Sequence, residues 1–199
     1  MVITGEKSFE ELHTLALTAA RNIHLQDEVE HGRSIDKYGN VRKFTGGEKW
    51  VDIDVDENTR ITIHNHRQSE TGSRLTIRCT HPSPPQEQKI PETFSGDDVY
   101  HFLINKQLCE IIVCGYGYYF YLRRGTFRGR EMPVWNEICS IFSRVKDRVL
   151  KEYAKDPLNL AKSMKTKEKE VYLLIEEGIH EEVSRYLASK GLSYGRSKL

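Results

Sequence analysis

No stretch of this 199-residue chain approaches the roughly 20 consecutive apolar residues of a membrane-spanning helix. Net charge is lacking too: 30 basic residues face 29 acidic ones, a formal +1, although charged residues make up 30% of the chain. A balance that close leaves no overall field to recruit nucleic acid or an anionic membrane. The N-terminus, MVITGEKSFEELH, lacks the basic-then-apolar order of a secretory signal. The expectation is a soluble, cytoplasmic protein with no membrane partner. Cys79, Cys109, Cys114 and Cys139 never stand as C-x-x-C, which removes both the redox motif and the zinc ribbon. Reduced, mostly buried thiols are expected instead. There is no internal repeat and no low-complexity tract.

What is present is clear periodicity. Residues 8–22 carry Ser8, Glu11 three positions on, and apolar Leu12, Leu15, Ala16 and Ala19, which predicts a capped amphipathic helix. From about residue 28 to residue 80 short alternating runs predict strands: SIDKYGNVRKF with a turn at Tyr38-Gly39-Asn40, then WVDIDV, RITIH and RLTIRCTH. HPSPPQEQKIPE is a proline-rich loop that cannot enter a sheet interior. SGDDVYHFLINKQ predicts a helix with Val99, Phe102 and Leu103 inward, CEIIVCG a buried strand, and YYFYLRR a strand paired with it. The last third predicts helices. Val134, Ile138, Phe142, Val145 and Val149 form one stripe; Leu174, Ile175, Ile179, Val183, Tyr186 and Leu187 form another, with a stop at Gly191. This order predicts an α/β fold, a mixed central sheet flanked by helices with a helical C-terminal part.

Three places can carry chemistry. In ITIHNHRQ, His64 and His66 stand two apart, so a strand would project both imidazoles from one face. FSGDDV opens the predicted helix with Ser95 and Asp98 in an S-x-x-D spacing, which also describes an ordinary helix cap. Glu30 stands at the entrance to the first strand. Catalytic zinc takes three protein ligands and leaves one position for water, and a carboxylate that is not a ligand then receives the proton. His64, His66 and Asp98 supply the ligands, Glu30 the base, and Ser95 a hydroxyl for the oxyanion.

The order Glu … His-x-His … Ser-x-x-Asp resembles the JAB/MPN (JAMM) metallopeptidase family, in the version found in bacteriophage head-morphogenesis proteins. The resemblance runs through EHGRSIDKYGNV, IHNH, FSGDDV, CEIIVCG and YYFYLRR, about residues 28–125. It implies a cytidine-deaminase-like fold over residues 1–130, with residues 131–199 as a helical segment packed on the same domain. It further implies Zn2+ as cofactor, zinc ligands His64, His66 and Asp98, general base Glu30, and oxyanion donor Ser95. The implied activity is cleavage of a peptide or isopeptide bond in a peptide or protein substrate. A second register stays open, because Arg67 follows His66 whereas RLTIRCTHPSPP ends in His81-Pro82, with Cys79 two residues earlier. In that register Cys79, His81 and Asp98 are the ligands, and a hairpin turning near Gly72 that sets Cys79 across from His64 leaves a mixed site open as well. A non-catalytic binding or assembly module with a phage or host protein partner is the alternative function. The aromatic run YGYYFYLRRGTFRGR reads as a packed strand rather than a nucleic-acid surface.

Overall fold

A computed structural model describes residues 5–24, 29–47, 51–65, 94, 96–115, 118–127, 131–156 and 164–198. Helix α1 (Phe9–His24) starts with a reciprocal cap. Glu11 N donates to Ser8 Oγ at 3.3 Å, and Glu11 Oε2 accepts from Ser8 N and Oγ at 2.9 Å each. Strands β1 (His31–Asp36) and β2 (Val41–Thr45) form a hairpin closed as expected around Tyr38-Gly39-Asn40. Asp36 Oδ1 accepts from the backbone N–H groups of Tyr38 and Asn40 at 2.9 Å each, and Gly39 takes φ 88°, where a side chain is strained.

Strand β3 (Thr59–Asn65), helix α2 (Gly96–Ile104), and strands β4 (Glu110–Gly115) and β5 (Tyr118–Arg124) follow. Helices α3 (Glu131–Lys155) and α4 (Met164–Ser189) and strand β6 (Leu192–Lys198) complete the described elements. The six strands form one mixed sheet in the order β2-β1-β3-β4-β5-β6, parallel only between β3 and β4.

Alternation along the strands splits the core in two. Ile35, Ile61, Ile63, Ile112 and Cys114 face α1, where they meet Leu12, Ala16, Ala19, Ala20 and Ile23. On the opposite face Ile111, Val113, Phe120 and Leu122 meet Val99, Phe102 and Leu103 of α2 and the full predicted stripe of α3. Burying these side chains is what stabilises the sheet, at about 1.5–3 kcal/mol for each large apolar one. No described helix is long and apolar enough to cross a membrane. Cys109, Cys114 and Cys139 are free thiols, and burial raises the Cys114 pKa far above its ordinary range.

Three expectations need correction. The alternating WVDIDV is no strand over residues 51–55. Val51 and Ile53 instead lie across Gly32 of β1, where an added Cβ would come within 2.7 Å of Ile53 Cγ1 and 3.1 Å of Val51 Cγ2. Alternation records which side of a segment is buried, and here the segment buries that side without pairing its backbone. The last described residues form β6 rather than helix, since β5 takes Leu192 to Lys198 as a ladder partner and Leu192 and Tyr194 turn into the core. Leu174, read as inward, is 51% exposed, whereas Ile175, Ile179, Val183 and Leu187 are buried as expected. The strand predicted at RLTIRCTH lies outside the described residues.

Ser34 and Thr62 are cross-strand partners on the helix-rich face, each 1% exposed, and neither hydroxyl has a hydrogen-bond partner among the described residues. A buried hydroxyl without a partner costs about 1–3 kcal/mol. Ser34→Ala combined with Thr62→Val should therefore raise the unfolding free energy by about 1–2 kcal/mol in urea denaturation. A loss of stability would contradict this reading of the pair.

Candidate metal and catalytic site

The site grows from the end of β3. Ile61 and Ile63 turn toward α1, so Thr62 and His64 project to the other face. The register sets Gly32 of β1 and Val113 of β4 on either side of His64, which is 7% exposed. A larger residue at position 32 would crowd Ile53 and Val51.

Helix α2 is held over this face from two directions. Phe94 just before its first turn and Val99 inside it belong to one core cluster, as in a hydrophobic staple that fixes how the chain enters a helix. Phe94 also meets the Tyr194 ring edge-on at 5.8 Å, and Trp135 Nε1 of α3 donates to Asp97 Oδ1 at 3.2 Å. With the first turn fixed, Asp98 Oδ1 comes to 3.2 Å from His64 Nε2. Both side chains are mostly buried.

Glu30 enters through the neighbouring strand. Its N–H donates to Gly47 O at 2.9 Å and its carbonyl accepts from Gly46 N at 2.8 Å, which carries the β1–β2 ladder one residue beyond β1. Alternation therefore continues to Glu30 and sets it on the face shared by Gly32 and His64. Glu30 is 9% exposed.

Two further residues belong here that the sequence pattern did not single out. Asn65 accepts from the His31 backbone N–H through Oδ1 at 2.6 Å, joining the end of β3 to the residue after Glu30. A buried amide between two candidate ligands needs a partner on the opposite face, and that requirement was the available signal. His101 stands one helical turn after Asp98 and thus on the same side of α2. Burial pulls its ring below the ordinary histidine pKa; the Asp98 carboxylate opposes that shift and His64 adds to it. His101 is thus held toward the neutral form beside the pair. The spacing Asp98-x-x-His101 was visible but reads equally as a solvent-facing helix turn.

The structure therefore brings His64 and Asp98 together and sets Glu30 on their face of the sheet. His66, Ser95, Cys79 and His81 lie outside the described residues. Among the described residues no group of three or more His, Cys, Asp or Glu side chains is arranged to hold a metal. The donor pair itself fits zinc, since two ligand atoms on a tetrahedral ion at 2.0–2.1 Å stand about 3.3 Å apart. The same 3.2 Å suits a charge-assisted hydrogen bond. Comparison with protein-family models, curated proteins and solved structures gave no match to this chain.

The two registers separate by mutation. His64→Ala and Asp98→Ala should each weaken zinc binding by about 10²-fold or more in a chelator competition, whereas Cys79→Ser with His81→Ala should leave it within about threefold of wild type. Asp98 is a ligand in either register, so retained binding in His64→Ala together with loss in the Cys79→Ser, His81→Ala variant would transfer the site to Cys79 and His81.

Proposed function

We propose that this chain is a zinc-dependent hydrolase of the JAB/JAMM type that cleaves a peptide or isopeptide bond. The observation that carries the reading is the approach of Asp98 Oδ1 to His64 Nε2 at 3.2 Å. It joins the two motif segments that the resemblance requires to meet, across 34 residues of chain that have no need to meet for a helix cap alone. On this reading the sheet belongs to a cytidine-deaminase-like domain acting in the cytoplasm, with a peptide or protein substrate and a phage or host protein as partner.

His64, His66 and Asp98 would hold the ion, which when bound lowers the pKa of a water molecule and polarises the substrate carbonyl. The chain's own groups supply the rest. Glu30, directly before β1 and largely shielded from solvent, accepts a proton from the attacking water and returns it to the leaving amine nitrogen. Ser95 donates its hydroxyl to the oxyanion as the carbonyl becomes tetrahedral. Asn65 keeps the strand ends together, so the distance between base and ligand is set by sheet geometry rather than by a loop.

Glu30→Gln separates binding from chemistry, because the amide keeps the shape and loses the ability to accept a proton. The variant should fold and hold zinc as the wild type does, and turnover of a susceptible peptide should fall by about 10²-fold or more. Equal turnover at matched zinc occupancy would remove Glu30 from the mechanism. Wild-type protein that binds zinc but cleaves nothing in a broad peptide and isopeptide library would make the chain a binding module.

A further inference from the structure

The side of the sheet that faces α1 carries an unusual arrangement of charge. Arg33 projects from the middle of β1 to that face, together with Ile35, and is only 8% exposed. Among the described residues its one hydrogen bond runs from Nη1 to the carbonyl of adjacent Gly32 at 2.6 Å. Among the described residues no carboxylate pairs with it. Burial acts on it with no opposing charge, drawing its pKa below the ordinary value. Arginine cannot escape this cost by giving up its proton, and four of its five N–H donors remain unspent.

The surroundings make the cost larger. The register sets Lys43 of β2 directly opposite Arg33, and like charges so placed on a sheet repel. His31, two residues before Arg33 and on the same face, has its pKa lowered by burial first and by Arg33 second. On the other flank Arg33 meets Ile63 of β3, and α1 turns Ala16, Ala19, Ala20 and Ile23 to this face. The buried Arg33 guanidinium and a near-neutral imidazole thus share one corner of the sheet, over an apolar floor and beside the solvent-exposed Lys43. Buried charge of this kind persists where a counter-charge completes it.

We infer that Arg33, Lys43 and His31 form a site for a phosphate-type oxyanion, on the opposite face of the sheet from His64 and Asp98. The guanidinium fork matches two oxygens of a tetrahedral anion, Lys43 adds a second positive charge, and His31 offers a neutral N–H. Two permanent positive charges match a dianion better than a carboxylate. The inference does not depend on the hydrolase reading.

The test is calorimetric titration of sodium phosphate, and separately of sodium acetate at matched ionic strength, into metal-free full-length protein. Wild type should bind phosphate saturably at one site, with acetate at least about tenfold weaker. Arg33→Met should fold cooperatively and lose at least about tenfold in affinity, and Arg33→Lys, which keeps the charge without the fork, should also bind measurably more weakly. His64→Ala should bind phosphate as the wild type does. Absence of saturable binding, acetate equal to phosphate, unchanged affinity in both Arg33 variants, or loss of binding in His64→Ala would each overturn the inference.

Discussion

Strand β3 is held on both sides, antiparallel to β1 and parallel to β4, and this double register governs the rest of the molecule. A parallel neighbour cannot be reached by a tight turn, so β3 and β4 need a long excursion of chain between them. The excursion includes α2, whose first turn comes back over the face from which His64 projects. Shifting β3 by one residue would turn His64 toward α1 and bring Ile63 to Asp98. The apolar side chains of Ile61 and Ile63 against α1 oppose that shift, so core packing fixes the placement of the polar pair.

The α1 face of the sheet holds buried charge in two different ways. On the α1 face Glu110 is fully buried, yet its carboxylate accepts from Arg123 Nε at 2.7 Å and lies 2.8 Å from His13 Nδ1. Arg123 in turn lies over the rings of Phe9 and Tyr121 at 5.1 and 4.6 Å. That cluster is complete within the chain, and it fastens α1 to β4 and β5. Arg33 stands on the same face without such a partner among the described residues. The contrast is what makes Arg33 informative: this fold completes a buried charge where it has only structural work to do.

Much of the architecture was legible because it rests on local chemistry. The Ser8–Glu11 cap, the turn at Gly39, the stripe of α3 and the buried run of β4 each follow from residue type and spacing. WVDIDV misled because alternation reports burial, and a covering segment alternates just as a paired strand does. Strand β6 was hidden because its short alternation ends at Gly195, and its strand state comes from pairing with β5. The site was legible in part. His64, Asp98 and Glu30 could be named from motif spacing, but the meeting of His64 with Asp98 depends on the excursion between β3 and β4. Asn65 and His101 lacked any motif and acquire meaning only from what they touch.

The central claim is that His64 and Asp98 belong to one metal centre. Zinc K-edge X-ray absorption on protein loaded with one equivalent of zinc tests it most directly. The account predicts a first shell of nitrogen and oxygen scatterers only, at about 2.0–2.1 Å, with the outer-shell pattern of imidazole. A sulfur scatterer at about 2.3 Å would put a cysteine thiolate on the metal, as the Cys79, His81 and Asp98 register requires, and contradict it.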